Sequence, residues 1–329
     1  MVTRVAPTAQ PTISVVMPAY NRVGCINSSI DSVLGQTLTD FELVVVDDCS
    51  TDGTADMVEA RTDPRVRCVR QPINAGPSAA RNRGIHEARA PLIAFLDSDD
   101  RYLPHKLGFV TRYFDNHRDI DALIDSFEVV YPGFIPWKRR APRSNPDLRD
   151  SRSIERAVFA RQVYKATPAL TARKRILIAA GLFDEALRTR EDMDLVLRLT
   201  RTARCATTSA VLWTKHWTRG SLSTEQGTFI PNVIDICHRH PSYLIDPDFR
   251  PGLARDEARH LIRRLVRGQF GRLARDLRQL ASNQGVTETR ALFAEGVGEI
   301  VRRAWHGKNP STRSPATPRL VRRTRHRPV

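Results

Sequence analysis

"PLIAFLDSDDRYLP", residues 91–104, sends an apolar run straight into three aspartates within four positions. A short, strongly apolar run of this kind reads as a strand buried on both faces, as strands of a parallel sheet are. Residues two apart in a strand share a side, so Asp97 and Asp99 are expected to face together at its carboxyl end. Three like charges there repel one another unless something positive lies among them. In open parallel sheets that edge is where ligands bind.

The same texture recurs upstream in "TISVVMP" (12–18), "FELVVVDD" (41–48) and "VRCVRQ" (66–71). Helical patterns fill the gaps at about 24–35, 53–61 and 77–89, and Pro104 opens a fourth running to about His117. Strand, helix, strand, helix predicts an α/β fold with a doubly wound, mostly parallel sheet flanked by helices. "YPGFIPWKRRAPRSNPDLRDSRS" (131–153) breaks the pattern with prolines and basic residues and reads as a long loop or lid. Two helical segments, "ALTARKRILIAAGLFDE" (169–185) and "EDMDLVLRLTR" (191–201), follow around a turn at Gly181, and "ARCATTSAVLW" (203–213) reads as a strand. From about 226 the chain becomes arginine-rich and helical, with Leu253, Ala258, Leu261, Leu265, Phe270, Leu273, Leu277 and Leu280 at roughly helical spacing. The expected organisation is a disordered N-terminus (1–11), an α/β domain (12–225), a basic helical region (226–305) and a disordered basic tail (306–329).

The chain has 329 residues, 41% of them hydrophobic and 27% charged, which excludes a wholly disordered protein. Its net charge of +16 favours anionic partners such as nucleotides, phosphorylated substrates or an acidic membrane face. No aromatic-and-basic recognition module accompanies that charge, so nucleic acid is not an expected partner. The five cysteines are scattered and never spaced as C-x-x-C, which predicts reduced thiols in a cytoplasmic protein. "MVTRVAPTAQPT" lacks the apolar run of a signal peptide, and no stretch of about 18 apolar residues occurs anywhere, so membrane contact is expected only from the surface.

Two or three carboxylates converging at a sheet edge make an all-oxygen site suited to magnesium or manganese, with a diphosphate as the natural counterpart. The competing reading makes Asp99 and Asp100 caps of the helix that opens near Pro104. Asp47 and Asp48 end the second strand at the same edge, where a carboxylate accepts hydrogen bonds from a base or ribose; alone, they would equally serve an Asx turn. "NAGPSAARNRG" (74–84) brings Asn74, Gly76, Arg81 and Asn82 to a loop entering a helix, a setting that favours a diphosphate. It is neither a P-loop nor the dinucleotide fingerprint.

In order along the chain, "SVVMPAYNR", "FELVVVDDCSTDGT", "NAGPSAARNRG", "AFLDSDD" and "GLFDEALRTREDMDLVLRL" resemble the family 2 glycosyltransferases, which have the nucleotide-sugar-binding GT-A fold. The resemblance spans about residues 12–224. It implies transfer of a sugar from a nucleoside diphosphate sugar, usually a UDP-sugar, to an acceptor hydroxyl with inversion. By the same resemblance Pro18 and Tyr20 line the nucleobase and ribose pocket, Asp48 reads the base, Asp97 lies near the ribose, Arg81 serves the donor side, Asp99 is a metal ligand and Asp192 is the catalytic base. Asn21, Asp47, Asn74, Gly76, Asp100 and Glu191 are supporting candidates. A divalent cation, Mn or Mg, is the implied cofactor.

Two departures from the family pattern stand out. "KHWTRGSLS" places His216, a candidate metal or diphosphate contact, five residues before Ser221 rather than about three, and Cys49 stands where glycine is common. Asp194 reads equally as an acid placed to suit a helix dipole. The resemblance also implies bacterial polysaccharide or glycolipid assembly on a glycan or lipid-linked acceptor, peripheral to the inner membrane face. The basic C-terminal region either lies on anionic lipid or packs through its apolar stripe, and the tail is the part expected to touch lipid. Two other classes stay in view. A sugar-1-phosphate nucleotidyltransferase lacks its expected glycine-rich, lysine-containing loop after "SVVMPAYN". A non-catalytic basic nucleotide-binding adaptor would have no need of Asp97, Asp99 and Asp192 together.

Overall fold

The structure is a computed structural model that describes residues 10–131, 140–159, 162–187, 190–216, 229–241, 245–247 and 249–308. The expected disordered ends therefore lie outside the described residues, apart from 10–11 and 306–308. By its contacts the chain forms two compact units, Met1–Gly252 and Leu253–Val329.

The first unit is built on one nine-stranded sheet. Strands β1 (Ile13–Ala19) and β2 (Phe41–Asp47) are buried at every residue, which is why both read as unbroken apolar runs rather than alternating ones. They pair in parallel with each other, β2 pairs in parallel with β3 (Val66–Arg70), and β1 pairs in parallel with β4 (Leu92–Phe95). The helices between them are α1 (Ile26–Leu34), α2 (Thr54–Glu59) and α3 (Pro77–Glu87). The strand order β3-β2-β1-β4 reverses direction at β1, so the topological switch point, where open α/β sheets bind ligands, falls at the carboxyl ends of β1 and β4. Pro18 sits at that end of β1. Val16 O accepts from Leu96 N at 3.1 Å and Ala19 O from Asp48 N at 2.8 Å, so even-numbered residues of β1 face β4 and odd-numbered ones face β2. The N–H that Pro18 lacks would point past the end of β4, and the ladder loses nothing.

Helix α3 lies unusually close to β1. A Cβ added at Gly84 would stand 2.3 Å from Val16 Cγ1, and a buried, β-branched strand residue cannot turn away. The last glycine of "NAGPSAARNRG" thus sets the depth at which α3 carries Arg81.

Beyond β4 the sheet is mixed. Its order continues β8-β6-β9-β5, built from β5 (Arg101–Tyr102), β6 (Ala122–Val130), β8 (Leu170–Arg173) and β9 (Cys205–His216), with β7 (Arg140–Arg143) paired to β6. Strand β8 runs antiparallel to both β4 and β6, while β6 and β9 are parallel. Residues 170–173, read from sequence as helix, are therefore strand; helix starts only with α6 (Lys174–Ala179). A four-residue buried strand followed at once by a helix has no period of its own to betray it.

The expected lid at 131–153 differs as well. Residues 132–139 lie outside the described residues, but 140–143 form β7 along β6 and α5 (Ser151–Phe159) begins before the stretch ends. Pro142 is tolerated because β7 needs only one partner. Asn145 fastens this segment: its N donates to Ser126 Oγ at 2.7 Å, its Nδ2 to Asp125 O at 2.8 Å, and its Oδ1 accepts from Tyr164 N at 2.7 Å. Among the described residues this unit also holds α4 (Lys106–Asn116), α7 (Glu191–Thr202) and α8 (Phe229–Arg239).

The second unit contains α9 (Arg250–Val266) from Leu253 on, α10 (Phe270–Gln284) and α11 (Val286–Lys308). A Cβ at Gly296 would meet Ala254 O at 2.0 Å, so α11 touches the α9 backbone there. Leu253, Ala258, Leu261 and Leu280 are buried as their spacing predicted, whereas Leu265, Phe270 and Leu277 are exposed. Among the described residues no helix is long and apolar enough to cross a membrane.

Candidate active site

The site is assembled where β1, β2 and β4 end. Asp47 and Asp48 are both buried. Asp47 Oδ2 accepts from Ser50 N at 3.0 Å, closing the turn after β2. Asp48 holds the approach to α3: Oδ1 accepts from Gln71 Nε2 at 2.6 Å and from Ala75 N at 2.8 Å, and Oδ2 from Gly76 N at 2.8 Å. Gly76, at φ 91° and ψ 169°, occupies backbone space open essentially to glycine alone, and Pro77 then opens the helix. Asn21 laces the first two loops together, its Oδ1 accepting from Thr51 N at 2.9 Å and its N donating to Ser50 Oγ at 2.9 Å. Tyr20 is 46% exposed beside the buried Pro18, and Asn74 is exposed on the loop before α3.

Arg81 is the hub. It is 5% exposed; Nη2 donates to Asp97 Oδ1 and Nη1 to Glu191 Oε1, each at 2.8 Å. One guanidinium thus joins the loop after β4 to the first residue of α7, two segments about ninety positions apart in sequence. Its Cζ also lies 5.5 Å from the centroid of Phe183, which meets Phe95 edge-on at 5.4 Å. The two carboxylates hold Arg81 firmly protonated against the opposing effect of its burial. Burial raises the Glu191 carboxyl above its ordinary range, Arg81 opposes that shift and Asp192 adds to it. Next to Arg81, Asn82 donates from Nδ2 to Phe183 O at 2.8 Å and accepts from Phe183 N at 2.9 Å, which grips "GLFDE" against α3. Nothing in its own motif marks Asn82 for this role. An amide that satisfies a backbone a hundred residues away leaves no local signal.

Strand β4 ends at Phe95, so the pleat does not align Asp97 with Asp99, contrary to the strand-based expectation. A turn gathers the acids instead, with Asp100 N donating to Asp97 O at 3.0 Å. Asp100 is 2% exposed, and its Oδ1 accepts from His216 N at 2.9 Å. Burial, then the charges of Asp97 and Asp99, push the Asp100 carboxyl well above the usual carboxylate range. His216 reaches the acidic turn through its backbone, while its Nε2 lies 3.2 Å from Thr214 Oγ1. Thr218 and Ser221 lie outside the described residues.

Among the described residues no three His, Cys, Asp or Glu side chains are grouped so as to enclose a metal ion. The donor set nonetheless fits a hard divalent cation: two carboxylates in a turn, a third behind them whose ionisation is suppressed by burial and then by their charge, and oxygen donors throughout. Such ions keep waters and phosphate oxygens among their ligands, so a full protein cage is not required.

Helix α7 opens with Arg190 in the left-handed region at φ 64°, and three acids fill its first turn. They divide three ways. Glu191 goes to Arg81. Asp194 is buried and takes Arg198 Nε at 2.8 Å, Arg198 Nη2 at 2.6 Å and His240 Nε2 at 3.0 Å, so it anchors the helix rather than only suiting its dipole. Asp192 is half-buried, with Oδ1 accepting from the Met193 N at 2.6 Å.

Comparison with known proteins matches residues 14–177 to the glycosyl transferase family 2. The chain belongs to that family. The match runs from β1 to α6 and ends before Asp192. Among family members, the succinoglycan biosynthesis protein ExoO of Rhizobium meliloti is 34% identical over 233 residues, 65% of this chain and 63% of that protein. WfgD of Escherichia coli, a UDP-Glc:alpha-D-GlcNAc-diphosphoundecaprenol beta-1,3-glucosyltransferase, is 35% identical over 132 residues, 40% of this chain and 51% of that protein. The chain thus spans less than two thirds of either relative's length. The GT-A fold is shared with S. aureus TarS 1-349, solved in complex with UDP-GlcNAc, at a TM-score of 0.60 and 21% identity over 89% of this chain and 92% of that one.

Proposed function

We propose that this protein is an inverting glycosyltransferase that moves a sugar from a UDP-sugar to an acceptor hydroxyl in bacterial polysaccharide or glycolipid assembly. The observation that carries the reading is the Arg81 bridge, which sets Glu191, and with it Asp192, one guanidinium away from the Asp97 carboxylate. The names of ExoO and WfgD, and the UDP-GlcNAc held by TarS, support the donor and the pathway class.

In this reading Pro18, Tyr20 and Asp48 frame the nucleoside, with Asp48 acting chiefly by holding the loop that faces it. Asp97 orients the donor and is itself fixed by Arg81. Asp99, with Asp97 and with the His216 segment that is tied to Asp100, would hold Mn or Mg, which would offset the charge of the departing diphosphate. Asp192 accepts the acceptor's proton as the acceptor oxygen bonds to the anomeric carbon and the carbon–phosphate oxygen bond breaks on the opposite face. A single displacement inverts the centre and needs no protein nucleophile. The acceptor is a glycan or a lipid-linked sugar, reached from the cytoplasmic face by a peripherally bound enzyme; the excess of basic residues supports that placement.

A thermal-shift screen of nucleoside diphosphate sugars with manganese tests the proposal. A UDP-sugar should raise Tm of the wild type, and Asp99→Asn should abolish the manganese-dependent part of the shift. Absence of a shift with every nucleoside diphosphate sugar would refute it, as would pyrophosphate release from a nucleoside triphosphate and a sugar 1-phosphate.

A further inference from the structure

We infer that the turn joining α9 to α10 is a docking tip for an anionic lipid bilayer. Leu265, Val266 and Phe270, at 54%, 79% and 64% exposure, crowd into six positions at the end of the helical hairpin. Soluble helices bury such residues, and the same helices do so elsewhere at Leu261 and Leu280.

The exposed trio is not needed to close the turn. Gly268, at φ 66°, ends α9 in a Schellman motif, with Gln269 N donating to Arg264 O and Gly268 N to Leu265 O, both at 3.0 Å. The apolar contact that often accompanies this motif is replaced by a polar one, Arg264 Nη1 to Gln269 Oε1 at 2.7 Å. Behind it, Asp276 on α10 accepts from Arg264 Nε at 3.2 Å and lies 2.8 Å from His260 Nε2. Polar ties lock the hairpin and leave its apolar residues outward.

Charge identifies the occupant. From 258 to 287 the sequence holds seven arginines and a single acid, Asp276, which is buried. The two helices that meet at the apolar tip therefore expose Arg259, Arg263, Arg267, Arg272, Arg275 and Arg278, with no exposed carboxylate among them in the sequence. Two-fold contact with a second copy would set arginine against arginine. Nucleic acid would use the charge but gain little from an exposed valine and leucine. A bilayer with anionic headgroups takes both, the side chains entering the acyl boundary and the guanidiniums meeting phosphate. Docking does not depend on the donor site; only its purpose, delivery to a lipid-linked acceptor, rests on the glycosyltransferase reading.

Co-sedimentation of the full chain with vesicles tests this, comparing phosphatidylglycerol mixed into phosphatidylcholine with phosphatidylcholine alone. The wild type should partition to the anionic vesicles at least about 10-fold more strongly. The pair Val266→Ser, Phe270→Ser and the pair Arg263→Glu, Arg272→Glu should each weaken that binding about 10-fold or more. In Val266→Trp the new tryptophan emission should shift to the blue and be quenched by brominated lipid. The basic tail is present in every variant, so binding that survives both pairs unchanged would locate the contact in the tail and overturn the proposal. So would an unquenched tryptophan, or a lipid-free dimer that the apolar pair dissociates. Both pairs should retain the Tm shift with donor and manganese, which keeps failure here separate from failure of the donor reading.

Discussion

Two buried cations of the first unit are handled in opposite ways. Lys106, fully buried at the start of α4, meets one carboxylate, Asp125 Oδ2 at 2.5 Å, together with Pro168 O at 2.8 Å and the Tyr102 ring at 4.7 Å. Arg81 meets two carboxylates and stands among further acids, Asp99, Asp100 and Asp192. The first cluster is balanced and closed to water. The second holds more acids than the one guanidinium and is partly open to solvent at Asp97 and Glu191. Backbone strain divides in the same way: the left-handed non-glycine residues Asn21, Cys49, Leu182 and Arg190 all lie in loops that carry or buttress the second cluster. Charge balance marks a part of the scaffold, while imbalance and strain together mark a place where a ligand is expected to complete the structure.

The largest effect expected from breaking that contrast is on turnover. Asp192→Asn should lower kcat by about 10²–10⁴-fold while calorimetry finds donor affinity unchanged, because a general base is needed only as the reaction proceeds. Most activity surviving would mean that the acid excess serves binding alone. The scaffold cluster should respond in stability instead. Lys106→Met leaves Asp125 buried without its cation and should cost about 3–5 kcal/mol in denaturant melts.

That cost should depend on pH. Burial, opposed by Lys106, pushes the Asp125 carboxyl up to about 7, so between the ordinary carboxylate range and that value the folded chain holds a proton that the unfolded chain has released. Stability contributed by this group therefore falls as pH rises through that window. Without Lys106 the carboxyl climbs further and the loss should be greater at about pH 8 than at about pH 5. A variant equally destabilised at both would show that Asp125 is not charged in the wild type. The smallest effect is on strain. Cys49 sits at φ 64° in the turn after β2, where the family often has glycine, and Cys49→Gly should stabilise the fold by about 0.5–1 kcal/mol in the same melts. No gain would indicate that the 3.8 Å contact of Cys49 Sγ with Pro72 O offsets the strain.

The legible parts of this fold are those whose signal is local. Strands β1 to β4 are short, β-branched runs separated by helices, and each is readable in place. Strand β8 is not, since "LTAR" becomes a strand only because β4 and β6 leave a slot between them. β7 contains a proline and pairs with β6 alone. Among site candidates, the acids were found because three carboxylates in four positions are costly without a reason. Asp194 is ambiguous in the sequence because its partners, Arg198 and His240, come from one helical turn away and from just past the end of α8. Lys106 and Asp125 carry no local signal, since a lone lysine near a helix start and a lone aspartate in an apolar run resemble surface residues, yet both are buried.

By itself the sequence determined that acids end the β2 and β4 segments, that a glycine-entered helix carries an arginine between them, and that the second half is basic. Those are properties of composition and short-range spacing. Only the tertiary structure decided which acid Arg81 would claim, that a turn rather than a pleat gathers Asp97 to Asp100, and which leucines of the arginine-rich helices stay outside. Such choices depend on distances between residues far apart in the chain, and hydrogen bonds and desolvation act over a few ångströms whatever the separation in sequence.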